Sequence, residues 1–134
     1  MKVFLVEDSE LLRDRLVRAF SIIKGVEVCG FSDSAEQAIR QIQQTQADVI
    51  ILDIRLRQGN GFQVLQSVKK PGQPPTVIVL TNFAYPQYRK KFLAAGADYF
   101  FDKSDEFTQV TVVLRELLTR NGATAKPRRK KISR

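Results

Sequence analysis

Hydrophobic and polar positions along the chain switch repeatedly between two periods. Short β-rich runs at residues 2–6, 26–31, 48–52, 76–80 and 97–101 alternate with longer segments of helical period. That alternation predicts a parallel sheet wound with helices. Val49-Ile50-Ile51-Leu52 and Val77-Ile78-Val79-Leu80 are apolar without interruption, as strands covered on both faces are. Between the first two runs, Leu11, Leu12, Arg15, Leu16, Ala19, Phe20 and Ile23 trace a helical stripe, with Arg13, Asp14 and Arg18 largely off it. Ser34-Ala35-Glu36-Gln37 has the capping-box pattern and opens a second helix reaching about Gln44. Gly59-Asn60-Gly61 breaks the chain before a third helix near 62–69, and Pro71-Gly72-Gln73-Pro74-Pro75 ends it. A fourth helix is expected over 86–95, stopped by Gly96. A fifth, near 105–119, carries Phe107, Val110, Thr111, Leu114, Leu117 and Leu118 on one face, and Asn121-Gly122 is expected to end it.

Composition narrows the class. A chain of 134 residues with 43% hydrophobic and 27% charged residues has the make-up of a globular domain, long enough to bury a core without disulfides. The single Cys29 cannot form an internal bridge and reads as a buried small hydrophobe. The apolar run after Met1 reaches Glu7-Asp8 too soon for a signal peptide or a membrane span. A cytoplasmic location is the expectation. The net charge of +8 is unevenly placed. Seven of the 22 basic residues follow Thr119, where there are no acids, so residues 1–119 carry fifteen basic against fourteen acidic side chains. The basicity belongs to a tail, 120–134, that lacks aromatic residues and is expected to be disordered.

The candidate chemistry stands at the strand ends. In an open, doubly wound sheet, ligands bind beyond the carboxyl ends of the strands, where strand order reverses. Glu7-Asp8 follows the first apolar run, Asp53 the third, Thr81 the fourth and Lys103 the fifth. Taken one at a time, such residues are common as helix caps or turn formers. An acid pair, an Asp, a hydroxyl and a Lys at these four ends together would arise by chance about once in 10^5 from average residue usage. Three carboxylates brought together repel one another unless positive charge sits among them. Lys103 supplies one charge, and a hard divalent cation such as Mg2+ would supply the rest.

These same segments resemble the receiver domain of bacterial two-component response regulators, the CheY-like family. The likeness is carried by Val3-Phe4-Leu5-Val6-Glu7-Asp8-Ser9, by Asp48 through Leu56 around Asp53, by Gly61, by Val79-Leu80-Thr81, and by Ala94 through Ser104 around Lys103. It spans about residues 1–119. The resemblance implies a flavodoxin-like α/β fold with a five-stranded parallel sheet in the order 2-1-3-4-5. It also implies that Asp53 is a phosphoacceptor, aided by Thr81 and Lys103. Mg2+ would be held by Glu7, Asp8, Asp53 and the main-chain carbonyl of Arg55. Thr81 and Tyr99 would form the switch that follows phosphorylation. Such a domain is not a conventional enzyme, although it catalyses its own phosphoryl transfer and slow dephosphorylation. The sequence contains no histidine, so the donor must be a separate histidine kinase or histidine phosphotransfer protein.

Three departures from the common pattern bear on the chemistry. Asn82 stands where a small residue is usual after the hydroxyl residue. Ser104 replaces the frequent proline after the lysine, which removes the usual reason for a cis peptide there. Arg55 and Phe83, two residues beyond Asp53 and Thr81, are both large and are expected to shield a phosphoryl group from water. The output is the open part. The fifteen residues after Thr119 are too few for a helix-turn-helix module, so a stand-alone regulator acting through protein contacts is the favoured expectation, as a monomer or a phosphorylation-dependent dimer. The alternative is a transcriptional or nucleic-acid-associated regulator using the basic residues of 126–134.

Overall fold

A computed structural model describes the backbone of residues 1–123 and the side chains of residues 1–120. Five strands alternate with five helices: β1 Lys2–Val6, α1 Glu10–Ser21, β2 Glu27–Ser32, α2 Ala35–Thr45, β3 Val49–Leu52, α3 Gly61–Val68, β4 Thr76–Thr81, α4 Pro86–Ala94, β5 Tyr99–Asp102 and α5 Phe107–Ala123. The strands form one parallel sheet in the order β2-β1-β3-β4-β5, as expected. Strand order reverses between β1 and β3, which opens a crevice at their carboxyl ends.

Alternation along the strands divides the core in two. Val3, Leu5, Val49, Ile51, Ile78, Leu80 and Tyr99 face α1 and α5, where they meet Leu12, Leu16, Phe20, Val110, Val113, Leu114 and Leu117. Phe4, Val6, Ile50, Leu52, Val77, Val79 and Phe100 face the other way, against Ala35, Ala38 and Ile42 of α2, Val64 and Leu65 of α3, and Phe92 of α4. Both layers are built of buried hydrophobic residues. Burial of each large side chain removes it from water at a gain of about 1.5–3 kcal/mol, and the polar residues of the central strands β1, β3 and β4 stand only at strand ends, Lys2, Thr76 and Thr81.

Several local expectations are refined. The inward stripe of α1 is Leu12, Leu16 and Phe20, continued by Ile23, whereas Leu11 is 73% exposed. Arg15 is exposed and lays its guanidinium over Phe107, 4.6 Å from the ring centroid. Ser34 caps α2 by accepting from the Gln37 backbone N–H. The reciprocal half of that box is taken elsewhere, since the Ser34 N–H donates to the Ser32 hydroxyl. The full capping box opens α3, where Asn60 and Gln63 exchange bonds of 3.0 and 2.9 Å. Cys29 is half-buried rather than enclosed. It lies on the edge strand β2 where the register with β1 slips, Val3 pairing with Val28 and Phe4 with Gly30. Gly96 has φ +114°, a conformation that suits the stop of α4. The last helix continues through Asn121-Gly122 instead of ending there, because one interior glycine costs only about 1 kcal/mol. The expected disordered tail falls beyond the described residues, apart from its first few positions.

Candidate phosphoacceptor site

The sheet ladder extends one step past the strands and holds the candidate residues in place. Glu7 N–H donates to the Ser32 carbonyl, Asp53 N–H to Val6, and Lys103 N–H to Thr81, each at 3.0 Å. These backbone bonds bring side chains from distant parts of the sequence to one sheet edge. Lys103 Nζ lies 2.9 Å from Asp53 Oδ2 and 3.0 Å from Glu7 Oε1. Asp53 Oδ1 accepts from the Ile54 N–H at 2.7 Å, and Glu7 Oε2 from the Ser9 N–H at 3.0 Å. Glu7 and Asp53 are 3% and 5% exposed, whereas Asp8 is open to solvent. One carboxylate oxygen from each of Glu7, Asp8 and Asp53 lies within 4.8 Å of the others.

The charges in this cluster do not balance. Burial, and then the neighbouring Asp53 charge, push the Glu7 carboxyl up from 4.5 to about 7 against the opposing pull of Lys103 and the Ser9 N–H. Burial alone would lower the Lys103 ammonium, but the hydrogen bond it donates to Asp53 and the charges of Asp53 and Glu7 prevail and raise it. Lys103 therefore stays charged, and one cation faces three carboxylates. The donor set is all oxygen, partly buried and short of positive charge, which suits Mg2+.

The surrounding loops hold the cluster in shape. Gly61, the first residue of α3, donates to the Ile54 carbonyl at 2.7 Å. A Cβ at this position would collide with the Asp53 carbonyl oxygen, so only glycine permits α3 to start so close behind the acid. Arg57 pairs with Asp33 at 2.9 Å, and Gln58 accepts from the Ala35 N–H, which fastens the loop after Asp53 to the entrance of α2. Arg55 forms an isolated bridge with Asn60, while its guanidinium stacks over the Phe83 ring at 4.3 Å.

Thr81 is fully buried, and its hydroxyl oxygen accepts from the Phe83 N–H at 3.0 Å. The aromatic expected to cooperate with it needs correction. Tyr99 stacks on Phe101 and belongs to the α1/α5 layer. Thr81 shares a sheet face with Val79, and Val79 pairs with Phe100. Phe100 is thus the aromatic on the Thr81 face, 2% exposed, with Phe92 6.2 Å away and its carbonyl accepting from Arg89. Tyr99 was expected only from the family resemblance, as an aromatic of the fifth strand; the period-2 pattern in Asp98 through Phe101 could have located Phe100. Asp98 was also missed. It holds Lys69 at 2.7 Å and the Val77 N–H at 2.9 Å, at the amino-terminal edge of β4 and β5, opposite the edge that carries the acid cluster. No peptide bond among the described residues is cis, so the Lys103–Ser104 bond is trans.

A doubly wound sheet with paired acids, an Asp, a buried hydroxyl and a Lys at its switch-point edge defines a phosphoacceptor class of domain. Residues 3–115 match the response regulator receiver domain, and the chain belongs to that family. Among curated proteins, it is 36% identical over 107 residues to the sensory transduction protein LytT of Bacillus cereus, covering 79% of this chain and 43% of LytT. It is 23% identical over 115 residues to the response regulator GacA of Pseudomonas syringae, covering 86% of this chain and 54% of GacA. The chain spans about half the length of these relatives or less. Among solved structures it is similar to the receiver domain of NarL from Mycobacterium tuberculosis, at 28% identity and TM-score 0.78, covering 87% of this chain and 94% of that one. The response regulator domain of Thermotoga maritima CheB matches at 25% identity and TM-score 0.77, covering 90% of this chain and 94% of that one. Receiver domains of this family are phosphorylated by histidine kinases, and Mg2+ binding at an acidic pocket is typical of them. No helix among the described residues is long and apolar enough to cross a membrane.

Proposed function

We propose that this chain accepts a phosphoryl group on Asp53 and relays the event through a change of surface. The observation that supports it best is Lys103 Nζ at 2.9 Å from Asp53 Oδ2, beside the acids of β1. In the reaction, an Asp53 oxygen attacks the phosphorus of a phosphohistidine, the P–N bond breaks, and the imidazole leaves with its electron pair. Lys103 would offset the negative charge on the transferring oxygens. Glu7, Asp8, Asp53 and the Arg55 carbonyl would hold Mg2+, which supplies further charge neutralisation when bound. None of residues 1–134 is a histidine, so the donor phosphohistidine lies outside them, on a histidine kinase or a histidine phosphotransfer protein.

The aspartyl phosphate brings acceptor oxygens within reach of the Thr81 hydroxyl, whose proton no described partner takes. Movement of Thr81 would open space on its own sheet face, where Phe100 lies, so we assign the switch to Thr81 and Phe100. The domain comprises residues 1–119 in this reading, works in the cytoplasm, and answers to a protein target.

Incubation with acetyl phosphate and Mg2+, followed by intact mass, tests the central claim. Wild type is expected to gain one phosphoryl group and Asp53→Ala none; an adduct of equal yield in both would overturn the assignment. A second reading, nucleic-acid contact, is supported by the seven basic residues after Thr119. Salt-dependent DNA binding that disappears on deletion of residues 120–134 would favour it over the stand-alone role.

A further inference from the structure

The turn that carries Lys103 is closed by side chains. Asp102, the last residue of β5, accepts two hydrogen bonds on one oxygen: from the Ser104 N–H at 2.9 Å and from the Ser104 hydroxyl at 2.7 Å. Its backbone N–H donates to Glu106 Oε1 at 2.9 Å, and its carbonyl accepts from the Glu106 N–H at 2.8 Å. Lys103 itself is tied to Thr81 by its backbone N–H. Residues 102–106 are therefore fixed from both sides over a trans peptide, at the place where a proline is frequent in the family.

The arrangement matters because the lysine side chain is long. Its ammonium reaches Asp53 and Glu7 only if the backbone at 103 points it across the sheet edge, and a free loop would let it wander. Asp102 is also the nearest acid in sequence to Lys103 and a natural competitor for it. Among the described residues, Lys103 pairs with Glu7 and Asp53 and not with Asp102. The Ser104 N–H, and then the Ser104 hydroxyl, hold the Asp102 carboxyl below its usual range, in keeping with a carboxylate already engaged.

We infer that Asp102, Ser104 and Glu106 form a clasp that positions the Lys103 ammonium on Asp53, and that they act on phosphoryl transfer only through Lys103. They are positioning residues. The rate test rests on the phosphoacceptor reading, whereas the spectroscopic test does not.

Phosphorylation by acetyl phosphate at saturating Mg2+ is compared for Asp102→Ala, Asp102→Asn and Ser104→Ala, each with Lys103 and with Lys103→Ala. Misplacement of a charge by a fraction of an ångström predicts about a tenfold slowing for Asp102→Ala. Asn can accept both Ser104 bonds, so Asp102→Asn stays within about twofold of wild type. With Lys103→Ala, Asp102→Ala changes the rate by less than about twofold, as shared action requires. Equal slowing in both backgrounds, or none in either, overturns the inference. Independently, the 15Nζ resonance of Lys103 without donor or metal should be sharp in wild type and Asp102→Asn, and lost by exchange in Asp102→Ala with far-UV circular dichroism unchanged. Its persistence in Asp102→Ala also overturns the inference. If Asp102→Ala does not fold, Ser104→Ala carries the test, with a smaller slowing confined to the Lys103 background; no slowing there is a refutation. Absence of an Asp53 adduct in wild type would refute the phosphoacceptor reading, and the ammonium signal would still decide the clasp.

Discussion

Glu7 gives the site a pH dependence whose sign is opposite to that of a carboxylate held ionised by an ion pair or hydrogen bonds. Its carboxyl is raised from 4.5 to about 7, first by burial and then by Asp53. Because the folded protein holds this proton more tightly than the unfolded chain, the stabilisation is complete below about pH 4.5. It is lost as pH rises through about 7. At about 1.36 kcal/mol per pH unit, a shift of this size corresponds to at most roughly 3 kcal/mol. Urea unfolding in EDTA across this range should show wild type losing stability relative to Glu7→Gln, which cannot titrate and keeps an oxygen for the Ser9 N–H. With Mg2+ the trend reverses, since a cation favours ionised Glu7 and its stabilising effect grows with pH. In Glu7→Gln that growth should flatten. Parallel pH profiles for the two proteins in EDTA would refute the reasoning, as they would mean that the buried carboxyl does not respond to its surroundings.

Arg55→Ala with Phe83→Ala breaks the cation–π contact at 4.3 Å; loss of phosphate from the adduct should quicken about fivefold, the rate equivalent of ~1 kcal/mol. Phosphate release after donor removal measures it, and slower release would contradict the shielding role. Gly61→Ala drives a Cβ into the Asp53 carbonyl oxygen, at an expected cost of about 1–3 kcal/mol in urea unfolding together with slower phosphorylation. Asp98→Ala leaves the Lys69 ammonium and the Val77 N–H without this partner. Breaking a buried pair in this way should cost about 3 kcal/mol in urea unfolding while the rate at Asp53 changes little.

The sheet was legible because its central strands are apolar on both faces, and no other architecture covers such runs so simply. Glu7, Asp53, Thr81 and Lys103 were legible for a related reason: a polar residue can enter such a strand only where it emerges. Facing was harder to read. Tyr99, Phe100 and Phe101 are all aromatic, so composition says nothing of which ring points to which layer, and only the pairing of Val79 with Phe100 separates them. Asp98 was missed because its partners, Lys69 and the Val77 N–H, are remote in sequence. The capping box at Asn60 was missed because a Gly-Asn-Gly run looks like a plain break, and Gln63 acquires its meaning only once the helix start is known.

The electrostatics connect the metal, the lysine and the clasp. Three carboxylates and one ammonium leave two uncompensated negative charges at full ionisation, and the fold meets this without metal by shifting Glu7 toward its protonated form. A divalent cation would remove the reason for that proton, so metal binding and Glu7 ionisation are linked. Phosphorylation then replaces one carboxylate charge with a group of greater negative charge, and the demand for a fixed cation rises at the moment of reaction. Mg2+ can adjust its waters to that change, but Lys103 can respond only from where its backbone holds it. A site whose charge must rise during its own chemistry therefore gains most from rigidity at the lysine, which is where Asp102, Ser104 and Glu106 concentrate their hydrogen bonds.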